Sequence, residues 1–369
     1  MNLFFISYGI WEHDGRMREL VGVCQLLGST QYVTRVTSDF SQQDKDHHYI
    51  TNNSFLTPFV FIFKSLFIAL RMKKIDVLFV DNRMAVMPAI LIKRLKRPTF
   101  LVQDVRELYL LNETKHIKGK IGCIFEQYLM RQADVVISAN YHRADIMKSS
   151  FHLDEKPIVF ENIRDLKYTG MMSKKEIIDK YEAFFKKNTM RIISTSGCSI
   201  ERTNDVLVEA MVNLGEGYEL FLVGSGSKGE IHTIKQIIEA HELNNVHIIG
   251  KLNQDELKYF VENCHIGVVN YHQHDTNNKY CASGKIYEFL FQGLPVVTTE
   301  NIPLMELCDK FGIGLYDNTY VEAIRTVAKD YDFFKKNVQD FIQEFNVDEN
   351  KENLVYRLGE HFRRQGRVN

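Results

Sequence analysis

The feature that most constrains the fold is an alternation of short apolar runs with helix-length segments, which occurs twice along the chain. Strands that alternate with helices in this way pair in parallel and place helices on both faces of a sheet. The sequence therefore predicts an α/β protein with two doubly wound, Rossmann-like parallel sheets. The predicted strands are residues 3–7, 32–37, 77–80, 99–102, 135–138 and 158–160, followed by 191–196, 219–223, 246–250, 266–269, 295–298 and 314–316.

A polar, lysine-rich segment at 162–188 separates the two series and is interpreted as a connection between domains. The length of 369 residues also favours two domains, because one domain usually contains about 100–200 residues. We expect domains at 1–165 and 190–345, and a C-terminal helix at 346–369 that packs back on the first domain. Doubly wound sheets bind ligands outside the carboxyl ends of their strands, so two facing domains predict a site in the cleft between them.

The charge balance and the cysteines exclude several classes of protein. There are 46 Lys+Arg against 47 Asp+Glu, a net charge of −1, which lacks the basic signature of a dedicated nucleic-acid binder. The N-terminal segment MNLFFISYG has no basic region and too short an apolar stretch for a signal peptide, so it is predicted to be a strand. No C-x-x-C pair occurs, which favours reduced, mostly buried thiols in a cytoplasmic protein. The cysteines are Cys24, Cys123, Cys198, Cys264, Cys281 and Cys308.

Residues 54–131 are strongly basic, with 14 Lys+Arg and 6 Asp+Glu, a local net charge of +8. Within them, 55–70 is apolar but contains Pro58 and Lys64, and it falls short of the roughly 20 residues that span a membrane. Two interpretations remain open. One is a well-buried helix before the strand at 77–80, and the other is a surface that docks on an anionic membrane without crossing it. The second interpretation predicts a peripheral protein on the inner face of the cell membrane.

A glycine-rich turn follows the predicted strand at 219–223. Its sequence, GSGSKG from Gly224 to Gly229, opens a predicted helix and satisfies the G-x-G-x-x-G pattern that brings backbone amides close to phosphate. A dinucleotide site also needs an acidic residue at the end of the next strand, and that strand ends in Gly250 and Lys251. The turn is therefore interpreted as a tight or phosphate-proximal loop, and an NAD-dependent oxidoreductase is disfavoured.

Three short clusters contain side chains of the types that hold metal ions. Two are D-x-D pairs, at 44–46 and 330–332, and the third is His272-x-His274-Asp275. Acid pairs at this spacing bind divalent cations that bridge a diphosphate, but neither pair follows an apolar strand. Two histidines and one acid supply too few ligands for zinc. We predict no metal site, and interpret the histidine segment as a loop that lines the cleft.

The most informative segment is 282–297, ASGKIYEFLFQGLPVV. Ser283 and Gly284 offer backbone amides at the start of a helix, where anions bind. Lys285 in the first turn adds a cation for a diphosphate. Glu288, one turn later on the same face, is placed to accept hydrogen bonds from a ribose diol. An ordinary solvated helix is the alternative, but it does not account for the order of small residues, cation and carboxylate.

This segment, with its Ser-x-Lys-x-x-Glu and its Gly-x-Pro-Val-Val, resembles the retaining nucleotide-sugar glycosyltransferases of family 4, which have the GT-B fold. The resemblance is clearest over 190–316, where the turn with Gly224 and Gly226 stands in the family's order. It implies that the second domain binds the nucleotide sugar and that the first is on the acceptor side. The donor contacts that it implies are Glu288 for the ribose, Ser283, Gly284 and Lys285 for the diphosphate, and the backbone near Lys251 and Leu252 for the base.

The first half matches the family more loosely. The segment DVREL at 104–108 looks like a strand end of the family, and the resemblance implies that Asp104, Arg106 and Glu107 contact the acceptor or the sugar. Gly15 stands in the family's first loop, over the sugar and phosphate.

The chain departs from the family pattern at two places. Many members have a glutamate eight positions before the one that aligns with Glu288, and this chain has Tyr280 there. The family's Arg-then-Lys pair appears only as Arg202, with Cys198 near the position of the other cation. Arg202 is still expected to bind the diphosphate, with Lys285 supplying the missing charge.

The resemblance implies a metal-independent glycosyltransferase with no cofactor beyond its nucleoside-diphosphate sugar. It would transfer the sugar with retention to a hydroxyl of a glycan or lipid-linked acceptor, in surface polysaccharide or glycoconjugate assembly. Arg202 and Lys285 would stabilise the charge of the departing diphosphate. Two alternatives remain open: a nucleotide-sugar 2-epimerase of the same architecture, and a non-catalytic nucleotide-sugar-binding scaffold.

Overall fold

Two parallel β-sheets form in the computed structural model, which describes residues 1–38, 40, 44–51, 54–185 and 188–364. The first sheet belongs to a unit made of Met1–Asn162 and the chain from Val347 onward, and the second to a unit made of Ile163–Asn346. All strand pairs of both sheets are parallel. The predicted fold class of two doubly wound Rossmann-like domains is thereby confirmed.

The first unit contains a seven-stranded sheet in the order β3-β2-β1-β4-β5-β6-β7. Its strands are β1 Asn2–Ile10, β2 Ser29–Val36, β3 His47–Thr51, β4 Val77–Asp81, β5 Phe100–Val105, β6 Val135–Ser138 and β7 Ile158–Val159. Its helices are α1 Gly15–Leu27, α2 Thr57–Arg71, α3 Val86–Lys96, α4 Ile117–Met130, α5 Tyr141–Phe151 and, from the end of the described chain, α15 Val347–Arg364.

The second unit contains a six-stranded sheet in the order β10-β9-β8-β11-β12-β13. Its strands are β8 Met190–Ser194, β9 Tyr218–Val223, β10 Val246–Gly250, β11 Ile266–Val269, β12 Val296–Thr298 and β13 Gly314–Tyr316. Its helices are α6 Lys174–Tyr181, α7 Asn204–Leu214, α8 Lys228–Ala240, α9 Gln254–Glu262, α10 Thr276–Lys279, α11 Gly284–Leu290, α12 Ile302–Phe311, α13 Val321–Lys329 and α14 Tyr331–Glu344.

Each sheet is covered by apolar helix faces on both sides, which explains why its strands read as continuous apolar runs rather than alternating ones. In the first unit, α1 and α15 pack on one side, where Met17 and Leu358 are fully buried. On the other side α2 and α3 contribute Phe61 and Ile92. The helices do not cover the carboxyl ends of the strands, and polar side chains lie at this edge of the sheet.

All twelve predicted strands are present, with ends that differ by at most three residues. The sequence prediction missed β3, which begins inside the polar run at His47 and pairs with β2 at the edge of the sheet. HHYIT has a single aliphatic residue, so it lacks the apolar run from which the other strands were predicted.

The interpretation of 55–70 as a well-buried helix is wrong. Helix α2 buries Phe61, Ile68 and Ala69, but Phe63 and Phe67 on its outer side are 69% and 51% exposed. Apolar content alone does not reveal which neighbour covers a helix, and in the described structure the sheet covers one side of α2. Among the described residues, no helix is both long enough and apolar enough to cross a membrane. The six cysteines are buried free thiols.

Candidate functional site

Two turns at the carboxyl ends of β8 and β9 approach each other so closely that glycine is required. Gly197, after β8, has a φ of 64°, and a Cβ there would lie 2.1 Å from the carbonyl oxygen of Ser225. Gly224, after β9, has a φ of 127°, and its amide donates to the carbonyl oxygen of Gly250 at 2.7 Å. Side chains are disfavoured at both positions because of the backbone conformation and the lack of space. The glycine-rich turn is therefore a tight turn packed on a second one.

A buried asparagine on the next helix holds the first turn in place. Asn204, at the start of α7, donates to the carbonyl oxygen of Gly197 at 2.8 Å. Its side-chain oxygen accepts from the Ser194 hydroxyl at 3.0 Å and from the Asn270 amide at 2.8 Å. Ser196 in turn donates to Asn270 at 2.9 Å. A polar network whose members satisfy one another is rigid, so the backbone of 194–197 has a fixed position.

Lys285 reaches this turn from the start of α11. Its ammonium group donates to the carbonyl oxygen of Thr195 at 2.8 Å and to the Ser196 hydroxyl at 3.3 Å. Burial and the positive charge of Arg202 lower the pKa of Lys285 to about 8, although Glu288 opposes the shift. An anionic ligand would stabilise the charged form of Lys285, which burial and the neighbouring Arg202 disfavour.

Arg202 ends the short 3-10 helix that follows the turn, and its guanidinium lies 3.8 Å from the centre of the Tyr271 ring. One of its terminal nitrogens is buried without a hydrogen-bond partner. The hydroxyl groups of Thr195 and Ser283 are also buried and unpartnered. Buried polar atoms in folded proteins nearly always have partners. The Arg202 nitrogen and the two hydroxyl groups are therefore available to donate hydrogen bonds to a ligand or to water beside Lys285.

Glu288 lies on α11, one turn after Lys285, and is largely buried. A guanidinium nitrogen of Arg164 lies 3.9 Å from its carboxylate. Burial raises the pKa of Glu288, and the charges of Arg164 and Lys285 oppose this shift. Hydroxyl groups of a bound ligand would replace the water that the carboxylate has lost.

The remaining residues predicted for the second unit lie at the carboxyl ends of neighbouring strands. Gly226 approaches Cys198, since a Cβ would lie 3.0 Å from that of Cys198. Gly284 is the first residue of α11 and is buried. Lys251 directly follows β10 and is exposed, whereas Leu252 packs against the core of the unit.

The residues predicted for the first unit collect at the carboxyl end of β5, in a charged network. Asp104 is 1% exposed and forms a bidentate pair with Arg16, whose nitrogens lie 2.6 and 3.0 Å away. Arg106 forms a bidentate pair with Asp81 and a further ion pair with Asp14. Asp14 caps α1 directly before Gly15, the first residue of that helix.

The three predicted acceptor residues differ in how available they are. Asp81, the partner of Arg106, is fully buried. Burial raises the pKa of Asp81 to about 6 against the opposing charge of Arg106. The side chain of Arg106 is 19% exposed. Glu107 is half exposed and lies 3.6 Å from Arg143. Asp104 and Arg106 therefore have structural partners, and Glu107 has the greatest freedom to meet a ligand.

Sequence reasoning missed Thr195, Ser196 and Gly197, which form the turn beneath Lys285. A signal was present, because the small and polar residues TSGCS at 195–199 begin inside the predicted strand 191–196 and favour an earlier end of that strand in a turn. Of the three clusters considered for metals, Asp44 accepts from the Tyr32 hydroxyl at 2.6 Å, and Asp275 caps α10. Among the described residues, no group of three or more His, Cys, Asp or Glu side chains is arranged to hold a metal ion.

No family model and no curated protein matches the sequence. Several solved structures superpose on the structure of this chain. HepE from Anabaena in complex with UDP superposes with a TM-score of 0.72 at 17% identity, covering 98% of this chain and 100% of HepE. WaaG, a glycosyltransferase involved in lipopolysaccharide biosynthesis, has a TM-score of 0.69 at 13% identity, covering 96% of this chain and 98% of WaaG. The chain has the GT-B fold.

The same fold is found in a protein to which a different activity has been assigned. A Listeria monocytogenes protein assigned as a UDP-N-acetylglucosamine 2-epimerase has a TM-score of 0.60 at 12% identity, covering 100% of this chain and 98% of that protein. At such identities the likeness is one of fold. The activity must therefore be argued from the side chains of the site.

Proposed function

We propose that this protein is a glycosyltransferase that moves a sugar from a nucleoside-diphosphate sugar to a hydroxyl of a glycan or lipid-linked acceptor, with retention. The observation that carries the proposal is the group of buried, unpartnered atoms of Thr195, Arg202 and Ser283 around the Lys285 ammonium. A diphosphate supplies both the negative charge and the oxygen atoms that this group lacks. HepE, of the same fold, has been crystallised with UDP and with UDP-glucose.

The reaction requires that the bond between the anomeric carbon and the diphosphate oxygen breaks. Negative charge develops on the diphosphate as it leaves, and preorganised cations stabilise that charge without reorganising. Arg202 and Lys285 are fixed by the Tyr271 ring and by the Thr195 carbonyl, so they supply this stabilisation without a metal ion. Glu288 accepts hydrogen bonds from the ribose. Gly224, Gly226 and the backbone near Lys251 and Leu252 complete the nucleotide side of the site.

The acceptor oxygen forms its bond to the anomeric carbon on the face from which the diphosphate departs. The departing phosphate oxygen takes the acceptor proton, so the products are the glycoside and the protonated nucleoside diphosphate. No protein side chain has to act as the base. Glu107 is proposed to contact the acceptor, and the ion pairs of Asp104 and Arg106 position the loop that carries it.

A nucleotide-sugar 2-epimerase is the second candidate, since the fold is shared with the Listeria protein. Such an enzyme would use the same grip on the donor but would convert it without an acceptor. Incubation with nucleotide sugar alone therefore separates the two activities. Formation of an epimer in that reaction would favour the second candidate.

The proposal is tested by measuring thermal stabilisation with a panel of nucleoside diphosphates and then product formation with the matching donor sugars. A ligand that binds only the folded state raises Tm. The anomeric configuration of the product, read from NMR coupling constants, tests retention, and transfer in the presence of EDTA tests independence from metal. Absence of stabilisation by every nucleoside diphosphate would contradict the proposal.

Glu288→Gln is the variant that tests the ribose contact. A hydrogen bond to a charged partner contributes about 1.5–3 kcal/mol, so we expect a Kd for the nucleotide that is about tenfold higher or more. Glu209→Gln, an exposed substitution on α7 of the same unit, is the matched control. Equal affinities of the two variants would show that Glu288 does not bind the ligand.

A further inference from the structure

Three helices of the first unit form one continuous outer surface, which we name the α2–α4 face. Helix α3 packs between α2 and α4. The inner sides of the three helices join a single apolar cluster on one side of the sheet, through residues such as Phe61, Ile92 and Leu129. Their outer sides point away from the sheet.

The α2–α4 face carries most of the exposed apolar side chains of the described chain. Segment 54–131 holds 18 of the 27 large apolar side chains that are exposed, so they are concentrated on this face rather than scattered. A contiguous patch of this kind marks an interaction surface. Its members on the helices and their first turns are Phe55, Leu56, Phe59, Val60, Phe63, Phe67, Leu70, Met84, Met87, Leu91, Leu95, Ile117, Ile121, Ile124, Phe125 and Tyr128.

The exposed charge of segment 54–131 is predominantly positive, because most of its acidic residues are buried and most of its basic residues are exposed. Four of the six acidic residues of 54–131 are buried, and the two that are exposed are Glu107 and Glu113. Nine basic residues of the same segment are exposed. They are Arg71, Lys73, Lys74, Arg94, Arg97, Lys115, Lys118, Lys120 and Arg131.

We propose that the α2–α4 face docks flat on an anionic lipid bilayer. Apolar side chains between basic ones insert at the boundary of headgroups and acyl chains, while the cations meet the negative surface of the leaflet. Basic residues lie beyond the carboxyl ends of α2 and α3 and near the start of α4, so the helices lie parallel to the membrane plane. The protein is held at the surface without crossing it.

A second copy of the chain is a poorer occupant of this face. A symmetric contact would place nine exposed cations of one protomer against the same nine of its partner. Opposed like charges disfavour such a contact, whereas an anionic leaflet neutralises them.

The α2–α4 face reaches the edge of the sheet where Glu107 lies. Arg83, just before α3, pairs with Glu126 of α4 at 2.8 Å and stacks over the Tyr109 ring at 4.2 Å. Tyr109 follows Glu107 by two residues, in the segment after β5. If the proposed transferase function holds, docking presents a lipid-linked acceptor to the predicted acceptor residues. The docking itself does not depend on that function.

Docking is measured by flotation of the full chain with vesicles, without nucleotide. Vesicles of phosphatidylcholine alone are compared with vesicles that also contain phosphatidylglycerol. We expect binding to the anionic vesicles only, weakening as salt is raised, because salt screens exposed charges. Failure to bind anionic vesicles at low salt would overturn the proposal.

Two variants separate the apolar from the electrostatic contribution. Lys73→Gln with Lys118→Gln and Lys120→Gln removes three exposed cations, each expected to strengthen binding about fivefold, so the triple variant should bind on the order of a hundredfold more weakly. Phe59→Ser with Phe63→Ser should weaken binding about tenfold or more. The matched controls are Lys310→Gln with Lys329→Gln and Lys336→Gln in the second unit, and Leu26→Ser on α1.

The outcomes distinguish docking from the transferase proposal. Controls that bind like wild type, with both face variants weakened, support docking. Equal losses in the face variants and the controls would overturn it, as would a concentration-dependent dimer in sedimentation that Phe59→Ser with Phe63→Ser abolishes. Urea unfolding without nucleotide is expected to be as cooperative in every variant as in the wild type, which shows that the variants are folded. Stabilisation by UDP is expected to be unchanged as well. Loss of vesicle binding with retained UDP binding therefore concerns the face alone.

Discussion

Replacing Lys285 with methionine tests the anion site most sharply, because the structure predicts opposite effects on stability and on binding. Burial and Arg202 lower the pKa of Lys285 from 10.5 to about 8. A shift of this size corresponds to roughly 3 kcal/mol lost by holding the charged group in the folded protein at neutral pH. Methionine also leaves the Thr195 carbonyl unpaired, at about 1–2 kcal/mol. We expect the free energy of unfolding to rise by about 1–2 kcal/mol.

The affinity of Lys285→Met for UDP is expected to fall. A charge-assisted hydrogen bond from the ammonium to the diphosphate contributes about 1.5–3 kcal/mol, so Kd should rise by about ten- to a hundredfold. Urea unfolding without nucleotide measures the first effect, and titration calorimetry with UDP measures the second. Lys329→Met, at an exposed lysine on α13, is the matched control and should change neither.

The pH dependence of binding tests the same residue independently. The protonated fraction of a group that titrates near pH 8 falls about tenfold between about pH 7 and pH 9, so wild-type affinity should fall by that factor while Lys285→Met loses this dependence. Without nucleotide, wild-type stability relative to the variant should rise between about pH 8 and pH 10.5, because the unfolded chain keeps a proton that the folded chain releases. Parallel pH profiles, or equal affinities for UDP, would refute the assignment.

Two further predictions concern the stability of the turn after β8 and of the ion pair between Arg106 and Asp81. Gly197→Ala should lower the free energy of unfolding by about 2 kcal/mol or more, because its Cβ meets the Ser225 carbonyl at a positive φ. A Cβ at Gly229 on α8 would have no atom outside the neighbouring helix backbone within 4 Å. Gly229→Ala should therefore be neutral or stabilising by up to about 1 kcal/mol in the same urea titrations. Arg106→Leu should cost about 3–5 kcal/mol near pH 7, since it leaves Asp81 buried and unpaired. That cost should shrink towards about pH 5 as Asp81 takes up a proton, and a cost independent of pH would contradict the assigned pairing.

The sheets were predictable because buried parallel strands are short apolar runs, and β4 and β11 are buried along their whole length. The edge strand β3 was not predictable from the same signal. It has one neighbouring strand and is partly exposed, so its sequence HHYIT contains few apolar residues. The sequence left the exposure of α2 open between two interpretations, a well-buried helix and a docking surface. An apolar helix has the same composition whether a neighbouring element covers it or a lipid surface does.

The local part of the candidate site was predictable, and the part built by distant residues was not. Lys285 and Glu288 stand one turn apart on one helix, so their shared face follows from helical geometry. The pairing of Asp104 with Arg16 joins residues 88 positions apart. No pattern in either segment reveals it, and it decides whether Asp104 is free to meet a ligand.

The return of α15 to the first unit has a consequence for how the chain is made. Leu354, Leu358 and Phe362 belong to the same apolar cluster as α1 and the first sheet, yet they are synthesised after the whole second unit. Domains usually fold in order as they leave the ribosome. Here the first unit lacks α15 until the second unit has been made, and the part of α1 that α15 covers stays exposed to solvent during that interval. The later-made unit, continuous in sequence, has its full complement of strands first.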